Sequence, residues 1–569
     1  MTNTNIGDFS APFRWKGALF RIQYRNYDAE DPTIPNQTDV TVRKTDLSIL
    51  SFESFPTLKE CCCKVLVSDA LLAKYASSLL PSELHYHMMK KALEKKRDRS
   101  VNVLLQVWPA VSLTLRTLLP QLFCTSSVLY DDLVYRSQIQ HAILCTTSLV
   151  RSLMCIIEHP DILSVGKLKM LDLRCFPTVD LMVQYISRFL LSKTTNSSFS
   201  TSRKRHRSPS PTSFAQNRNL DKVSRSEPFI LSIDAVVRGS ETCNLLCKAL
   251  SISKSSHSPL KLQINQLDVS NVRDKELEAL LKHIDHENLT GLSLQYNSLL
   301  PSGISILAPQ ISSLKNLSAL DLSCNIINLT ENPDVRDVVS GMLSSMHNLK
   351  RLDFSNNRVG NCLRELLSTK EGKFTASSSN RSTDSPQSLE YLKLSACRLT
   401  QSDLLYISTS NHRFTLRELD LGENVLFIYM SSLVQLLHAT KNLEVLELEG
   451  CGFKDDHFLP LIKAISSLKK LWYLNLAGHE VTTKELYGSI PLLAALPHLE
   501  CVRITYPNEC YDSSDQEICV NMKASVETKL KELFSKNLYS SHRNPMSRMV
   551  RIVWTDDYYQ EILQVVFIP

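Results

Sequence analysis

Leucines and their apolar substitutes return through the second half of the chain in one spacing, L-x-x-L-x-L-x-x-N/C-x-L. It reads LTGLSLQYNSL at 289, LSALDLSCNII at 317, LKRLDFSNNRV at 349, LEYLKLSACRL at 389, LRELDLGENVL at 416, LEVLELEGCGF at 443 and LWYLNLAGHEV at 471. A weaker copy, LECVRITYPNE, begins at 499. The starts are 28, 32, 40, 27, 27, 28 and 28 residues apart. The x-L-x-L piece of each copy alternates, which predicts a short strand with leucines on one face and the x residues on the other. Asn297, Asn325, Asn357 and Asn424 stand where the chain turns off the strand. An amide there can satisfy backbone groups that the turn leaves unpaired. Cys397 and Cys451 take that position in two copies, and His479 and Pro507 depart from it. Between copies, VVSGMLSSM and MSSLVQLLHAT have helical spacing, so one strand and one helix are predicted per repeat.

Self-similarity at this period is the mark of a leucine-rich-repeat solenoid, each copy burying its apolar face on its neighbours. Room for a full helix in every copy predicts the α/β, ribonuclease-inhibitor-like horseshoe, with its strands on the concave side. The 40-residue copy carries a polar insertion at about 373–387. LKMLDLR near Leu168, then FILSIDAV and PLKLQINQLDV, read as degenerate first repeats. The organisation that follows has six parts. Residues 1–50 are an extension of unknown structure, and 51–160 a helical region, with VNVLLQVWPAVSLTLRTLLPQLF read as helix broken at Pro109 and Pro120. Residues 161–192 hold the first repeat, and 193–227 a Ser-rich basic linker too poor in aliphatics to order itself. Residues 228–508 form the array, and 509–569 a cap in which ETKLKELFSKNL and RIVWTD cover the last open edge.

The first helix after residue 50 carries a stripe of its own. In TLKECCCKVL, which starts at Thr57, Leu58, Cys62 and Leu66 recur at i, i+4 and i+8 on one helical face. This resembles an elongin-binding BC box of the kind in the von Hippel–Lindau tumour suppressor. After a short helical run, Leu80, Pro81, Leu84 and Met88 in LLPSELHYHMM resemble a cullin-2 box. LLPSELHYHMM, LLQVWPAVSLTLRTLL and LKMLDLR, in that order, are similar to the PRAME/leucine-rich repeat-containing protein 14 family. The resemblance covers roughly residues 57 to 505 and departs in the first fifty residues, the linker and the inserted loop. It implies the substrate-recognition subunit of a cullin-2 RING E3 ubiquitin ligase. Elongin C, with elongin B, would take the BC box at Leu58 and Cys62, cullin-2 with its RING subunit the Pro81 segment, and the concave face a target protein. The alternative expectation is an inhibitor or scaffold that sequesters a protein partner without ubiquitin.

At 569 residues the chain is too long for one ordinary compact core, and 43% of it is hydrophobic. No apolar run reads as long enough to span a bilayer, and the N-terminal stretch lacks the basic-then-apolar order of a signal peptide. A location in the cytoplasm, the nucleus or both is expected, with no membrane contact and reduced thiols at its 16 cysteines. The net charge of +6 has its clearest concentration in the linker, where Arg203, Lys204, Arg205 and Arg207 resemble a nuclear-import signal. Ser208-Pro209 and Ser210-Pro211 follow at once, and phosphorylation there would mask it. No GxGxxG, P-loop, HExxH or suitably placed GxSxG nominates an enzyme, and no CxxC or finger-like spacing calls for a metal or cofactor. The residue between the paired core leucines runs Ser293, Asp321, Asp353, Lys393, Asp420, Glu447, Asn475, Arg503. With Glu444 and Glu449 this predicts an acidic band on the concave face, with Tyr391, Trp472 and Tyr473 as aromatic surface. Such a band would hold a partner with basic residues, and its sign argues against direct nucleic-acid binding.

Overall fold

The computed structural model describes residues 57–119, 132–159, 166–199, 227–368, 388–511, 519–541, 549–555 and 560–566. The extension 1–50, the Arg203–Arg207 cluster with its Ser-Pro pairs, and the insertion at 373–387 lie outside the described residues. The chain divides into two compact units, residues 1–236 with 245–265, and residues 237–244 with 266–569.

The first unit opens with short helices whose ends are written in the sequence. Thr57 caps α1 (Leu58–Leu66), and Asp69 caps α2 (Ala70–Leu79), accepting from the Leu72 N–H at 2.9 Å. Pro81 stands at the start of α3 (Ser82–Glu94), where a missing N–H costs nothing. Then comes α4 (Asp98–Gln106). Met88, Met89, Leu93, Leu104 and Leu105 form the centre of this packing and are fully buried. The segment after α4 differs from its helical reading. Beyond Pro109 it forms a strand, β1 (Ser112–Thr114), before the single turn of α5 (Leu115–Leu118). The Trp108 indole N–H donates to the Ser112 carbonyl at 3.1 Å, and only Leu113 of the three strand residues is buried, so the local period is two. The parallel sheet therefore starts one strand ahead of the first predicted repeat: β1 pairs with β2 (Met170–Thr178), and β2 with β3 (Phe229–Arg238). Before β2 lies α6 (Asp132–Glu158) and after it α7 (Asp180–Phe199). The expectation of no membrane-length apolar run needs correcting, because residues 140–158 of α6 are long and apolar enough by length and composition. Leu149, Val150, Leu153 and Met154 of that stretch are fully buried within the protein.

α8 (Ser240–Ser253) and β4 (Leu260–Ser270) lead into the second unit. There Gln266–Asp268 of β4 pair with β5 (Gly291–Ser293), and the parallel ladder continues without a shift in register. It runs through β6 (Ala319–Asp321), β7 (Arg351–Asp353), β8 (Tyr391–Lys393), β9 (Glu418–Asp420), β10 (Val445–Glu447), β11 (Tyr473–Leu476) and β12 (Cys501–Ile504). Leu292, Leu320, Leu352, Leu392, Leu419, Leu446 and Leu474 are in-register partners and are buried throughout. The connections carry α9 (Asp274–His283), α10 (Pro301–Ser312), α11 (Pro333–Ser344), α12 (Leu363–Leu367), α13 (Gln401–Thr409), α14 (Met430–Ala439), α15 (Asp455–Ile465) and α16 (Thr483–Ala494). α17 (Val520–Ser541) follows, then β13 (Met549–Thr555) parallel to β12, and β14 (Gln560–Val566) antiparallel to β13. This is an α/β leucine-rich-repeat solenoid.

The turn residues link one repeat to the next. Asn325 donates from Nδ2 to the Leu322 carbonyl of its own turn at 2.9 Å and to the Leu294 carbonyl of the preceding repeat at 2.8 Å. Its Oδ1 accepts the Asn297 N–H at 2.9 Å. Asn357 and Asn424 repeat the double donation. Where the amide is replaced, the donation backwards persists: Cys451 Sγ reaches the Leu421 carbonyl at 3.4 Å, and His479 Nε2 lies 2.8 Å from the Leu448 carbonyl. Burial holds the His479 imidazole well down, at about 4, so it sits there neutral.

Candidate protein-docking site

α1 is held from one side only. Cys63 and Val67, four residues apart, are its buried side chains, at 4% and 1% exposure, and the Ser100 hydroxyl of α4 donates to the Val67 carbonyl at 2.8 Å. The opposite face carries Leu58 at 81% exposure, Val65 at 62%, and exposed Cys62, with Leu66 half-buried beside them. Its first turn is fixed by a reciprocal cap. The Thr57 N–H donates to Glu60 Oε2 at 2.7 Å while Thr57 Oγ1 accepts the Glu60 N–H at 3.3 Å. The Thr57 N–H and the Thr57 hydroxyl, which donates to the same Oε2 at 3.0 Å, favour the ionised carboxylate, so Glu60 titrates below its ordinary range. Thr57 thus shapes the helix that presents the stripe.

α2 adds a surface that the sequence reading left out. Its small residues Ala73, Ala76 and Ser77 face inward and are buried. Its large ones face out, with Leu71 at 78% exposure, Tyr75 at 66% and Leu79 at 67%. The signal was available in ALLAKYASSL as an inverted amphipathic pattern, small side chains on the face that packs closely and bulky ones on the other. The second motif is split by burial. Pro81 is exposed and Leu80 and Leu84 half-buried, but Met88 is sealed in the helical core. Met88 lies one helical turn beyond Leu84 on the same face, deeper among the neighbouring helices, so it is a packing residue and not part of an open face.

The strand face of the second unit also departs from expectation. Asp321 and Asp353 are buried and serve the turns: Oδ1 of each accepts the backbone N–H two residues on, Ser323 and Ser355, at 2.8 Å. Asp420 does the same for Gly422 at 3.0 Å, and Asn475 for Ala477 at 3.0 Å. The Leu-Asp-Leu pattern is thus a device for closing the turn, as Asp side chains do elsewhere. Tyr391 and Tyr473, at 4% and 5% exposure, are shielded by neighbouring strands, and the Arg351 guanidinium lies 4.1 Å over the Tyr391 ring. Glu444 is clamped by Arg417 through contacts of 2.8 and 3.1 Å. Of the predicted band, Asp420, Glu444, Glu447, Glu449 and Trp472 keep partial exposure. Burial first, and the Glu447 charge second, push the Asp420 carboxyl up to about 8, against the pull of Lys393. For Lys393 burial acts to lower the pKa, but Glu418, Glu447, Asp420 and Asp353 together outweigh it and the ammonium is retained. Among the described residues no group of three or more His, Cys, Asp or Glu side chains is arranged to hold a metal ion.

No family model matches the chain. Over 539 residues it is 25% identical to leucine-rich repeat-containing protein 14 of Xenopus laevis, spanning 88% of this chain and 98% of that protein. It is 22% identical over 480 residues to human PRAME family member 7, spanning 82% of this chain and 89% of that one. The chain is thus similar along most of its length to leucine-rich repeat-containing protein 14 and to PRAME family members. Among solved structures it is similar to an internalin of Listeria monocytogenes, at a TM-score of 0.28 and 14% identity, over 49% of this chain and 80% of that one. Like these relatives it is built on leucine-rich repeats, a scaffold suited to binding other proteins. Among the described residues, the apolar surface on α1 and α2 and the half-open carboxylates of the strand face are candidate places for it.

Proposed function

We propose that this protein is the substrate-recognition subunit of a cullin-2 RING E3 ubiquitin ligase. Elongin C, with elongin B, docks on α1 through Leu58 and Cys62, and cullin-2 with its RING subunit on the segment at Leu80, Pro81 and Leu84. The strand face holds the protein to be modified, and the complex works in the cytoplasm, the nucleus or both. The observation that carries the reading is the Leu58 side chain, left 81% exposed on a helix whose other face is firmly packed. An apolar residue at i, a small Cys at i+4 and aliphatics at i+7 and i+8 are what a helix offers a complementary groove. The chain's contribution is proximity and orientation, and its partners carry out transfer.

Affinity purification with mass spectrometry tests this on the full chain. Native protein is expected to recover elongins B and C and cullin-2, and Leu58→Ala combined with Cys62→Phe to lose them while retaining target proteins. Truncating one such anchor costs about 2–4 kcal/mol of binding. Cys62 is exposed, so the larger ring leaves the core intact, whereas the same change at buried Cys63 would unfold the helix packing. If elongins never accompany the native chain, the ligase reading is wrong and a sequestering scaffold remains.

A further inference from the structure

Two cysteines meet where the last repeat hands over to its capping helix. Cys510 ends a tight turn (Asn508–Cys510) that follows β12, and its N–H donates to the Pro507 carbonyl at 2.8 Å. Cys519 immediately precedes α17, and its carbonyl accepts the Lys523 N–H at 2.9 Å, so it stands at the helix N-cap. The Cys519 N–H donates to the Cys510 carbonyl at 2.7 Å. A backbone bond of that kind sets two Cα atoms about 5–6 Å apart, which is the span of a disulfide. Neither residue is in a disulfide here, and the two differ in access: Cys510 is fully buried and Cys519 exposed. Burial first, then the charges of Glu509, Cys519 and Glu527, push the Cys510 thiol up to about 11. It is therefore kept as a thiol and away from solvent, next to a sulfur that solvent can reach. Cys397 and Cys451, the buried cysteines of the repeat turns, spend their thiols on the Phe354 and Leu421 carbonyls.

We propose that Cys510 and Cys519 are a redox-active pair, closed to a disulfide by peroxide, that latches α17 onto the last repeat. Cys519, as its thiolate, attacks one oxygen of the peroxide. The O–O bond breaks, the leaving hydroxide takes up a proton to become water, and Cys519 is left as a sulfenic acid. The Cys510 sulfur then attacks the Cys519 sulfur. The S–O bond breaks, and the hydroxyl departs as a second water with the Cys510 proton. Two thiols have lost two hydrogens, and one peroxide has become two waters. The new bond ties the turn after β12 to the first residues of α17 and so holds the cap in place over the end of the array. A cellular thiol pool would reopen it, as it does other disulfides formed in a reducing compartment. The latch does not depend on adaptor docking at α1.

The test uses the full-length chain, first reduced and then treated with hydrogen peroxide. Trypsin leaves both sulfurs in one peptide, residues 504–523. That peptide is expected to become two hydrogens lighter, to resist alkylation at both cysteines, and to revert with dithiothreitol. Oxidised wild type should melt about 4 °C or more above reduced wild type. Cys519→Ser, at an exposed position, should fold as wild type does and show no such rise. Cys510→Ala should stop at the sulfenic acid, which dimedone traps on Cys519. Three results overturn the proposal: peptide 504–523 stays fully alkylatable, Cys519 pairs with a different cysteine, or the disulfide forms and leaves the melting temperature unchanged. An equal rise in Cys519→Ser also overturns it, because the stabilisation would then come from oxidation elsewhere.

Discussion

Ile326 is held at φ 61° with its side chain 76% exposed. A left-handed backbone costs an L-residue about 1–2 kcal/mol, and a β-branched one resists it most. The site follows the turn Asn of its repeat; Ser298, Arg398 and Gly452 at the same position of other repeats are also at positive φ, whereas Arg358 and Val425 are not. The repeat thus tolerates the conformation without requiring it, and the exposed Ile326 side chain gains no buried contact in return. Ile326→Asn is therefore expected to raise stability by about 1 kcal/mol in urea unfolding, and a loss of stability would mean that the exposed isoleucine braces the loop. Asp420 gives a second residue-level signature. Its carboxyl moves from an ordinary 3.8 up to about 8, through burial first, then Glu447, with Asp353 adding and Lys393 and the Gly422 N–H opposing. A raised carboxyl holds its proton more tightly folded than unfolded. Its stabilising contribution is therefore complete below about pH 4 and lost as pH climbs through 8. Asp420→Asn should flatten that part of the Tm-against-pH curve relative to wild type, and an unchanged curve would show that the Asp420 carboxyl is not held protonated.

At the scale of the element, α1 shows how a cap can set affinity. Thr57 contributes no apolar contact, yet its two reciprocal bonds with Glu60 order the turn that carries Leu58. Thr57→Val keeps the shape and removes the cap, at about 1 kcal/mol of helix order. Elongin affinity is expected to fall about fivefold in calorimetric titration, with Thr57→Ser close to wild type; equal affinities would show that the helix is already rigid without its cap. The strands of the repeats were legible because leucine spacing alone fixes which residues turn inward, and the turn Asn announces where each strand ends. The outward stripe on α1 was legible for the same reason. β1 was missed because three residues after Pro109 are too few to declare a period. The outward face of α2 was missed because reading for apolar positions looks for a core, whereas this helix packs with Ala and Ser. The burial of Asp321 and Asp353 could not be read at all: it depends on neighbours 28 to 40 residues away in sequence and one strand away in space.

For the molecule as a whole, an array of parallel strands has to be closed at its end. β12 would present a row of unpaired N–H and C=O groups if the chain stopped at its last repeat, an open template for association. β13 covers that edge in register from Cys501 to Ile504, and β14 then adds an antiparallel strand. The closure is fastened by Trp554, 1% exposed, whose ring stacks on Tyr506 at 4.1 Å between centroids and 9° between planes. Removing so large a buried ring costs about 3–5 kcal/mol. Trp554→Ala is thus expected to lower the melting temperature of the array, and truncation after residue 541 to make the chain self-associate in light scattering. The helix proposed to dock the adaptor, α1, lies in the other compact unit, so elongin recovery should survive Trp554→Ala. A truncated chain that stays monomeric with an unchanged melting temperature would show that the array closes itself at β12. The stacked pair would then be an ornament of the terminus and not its lock.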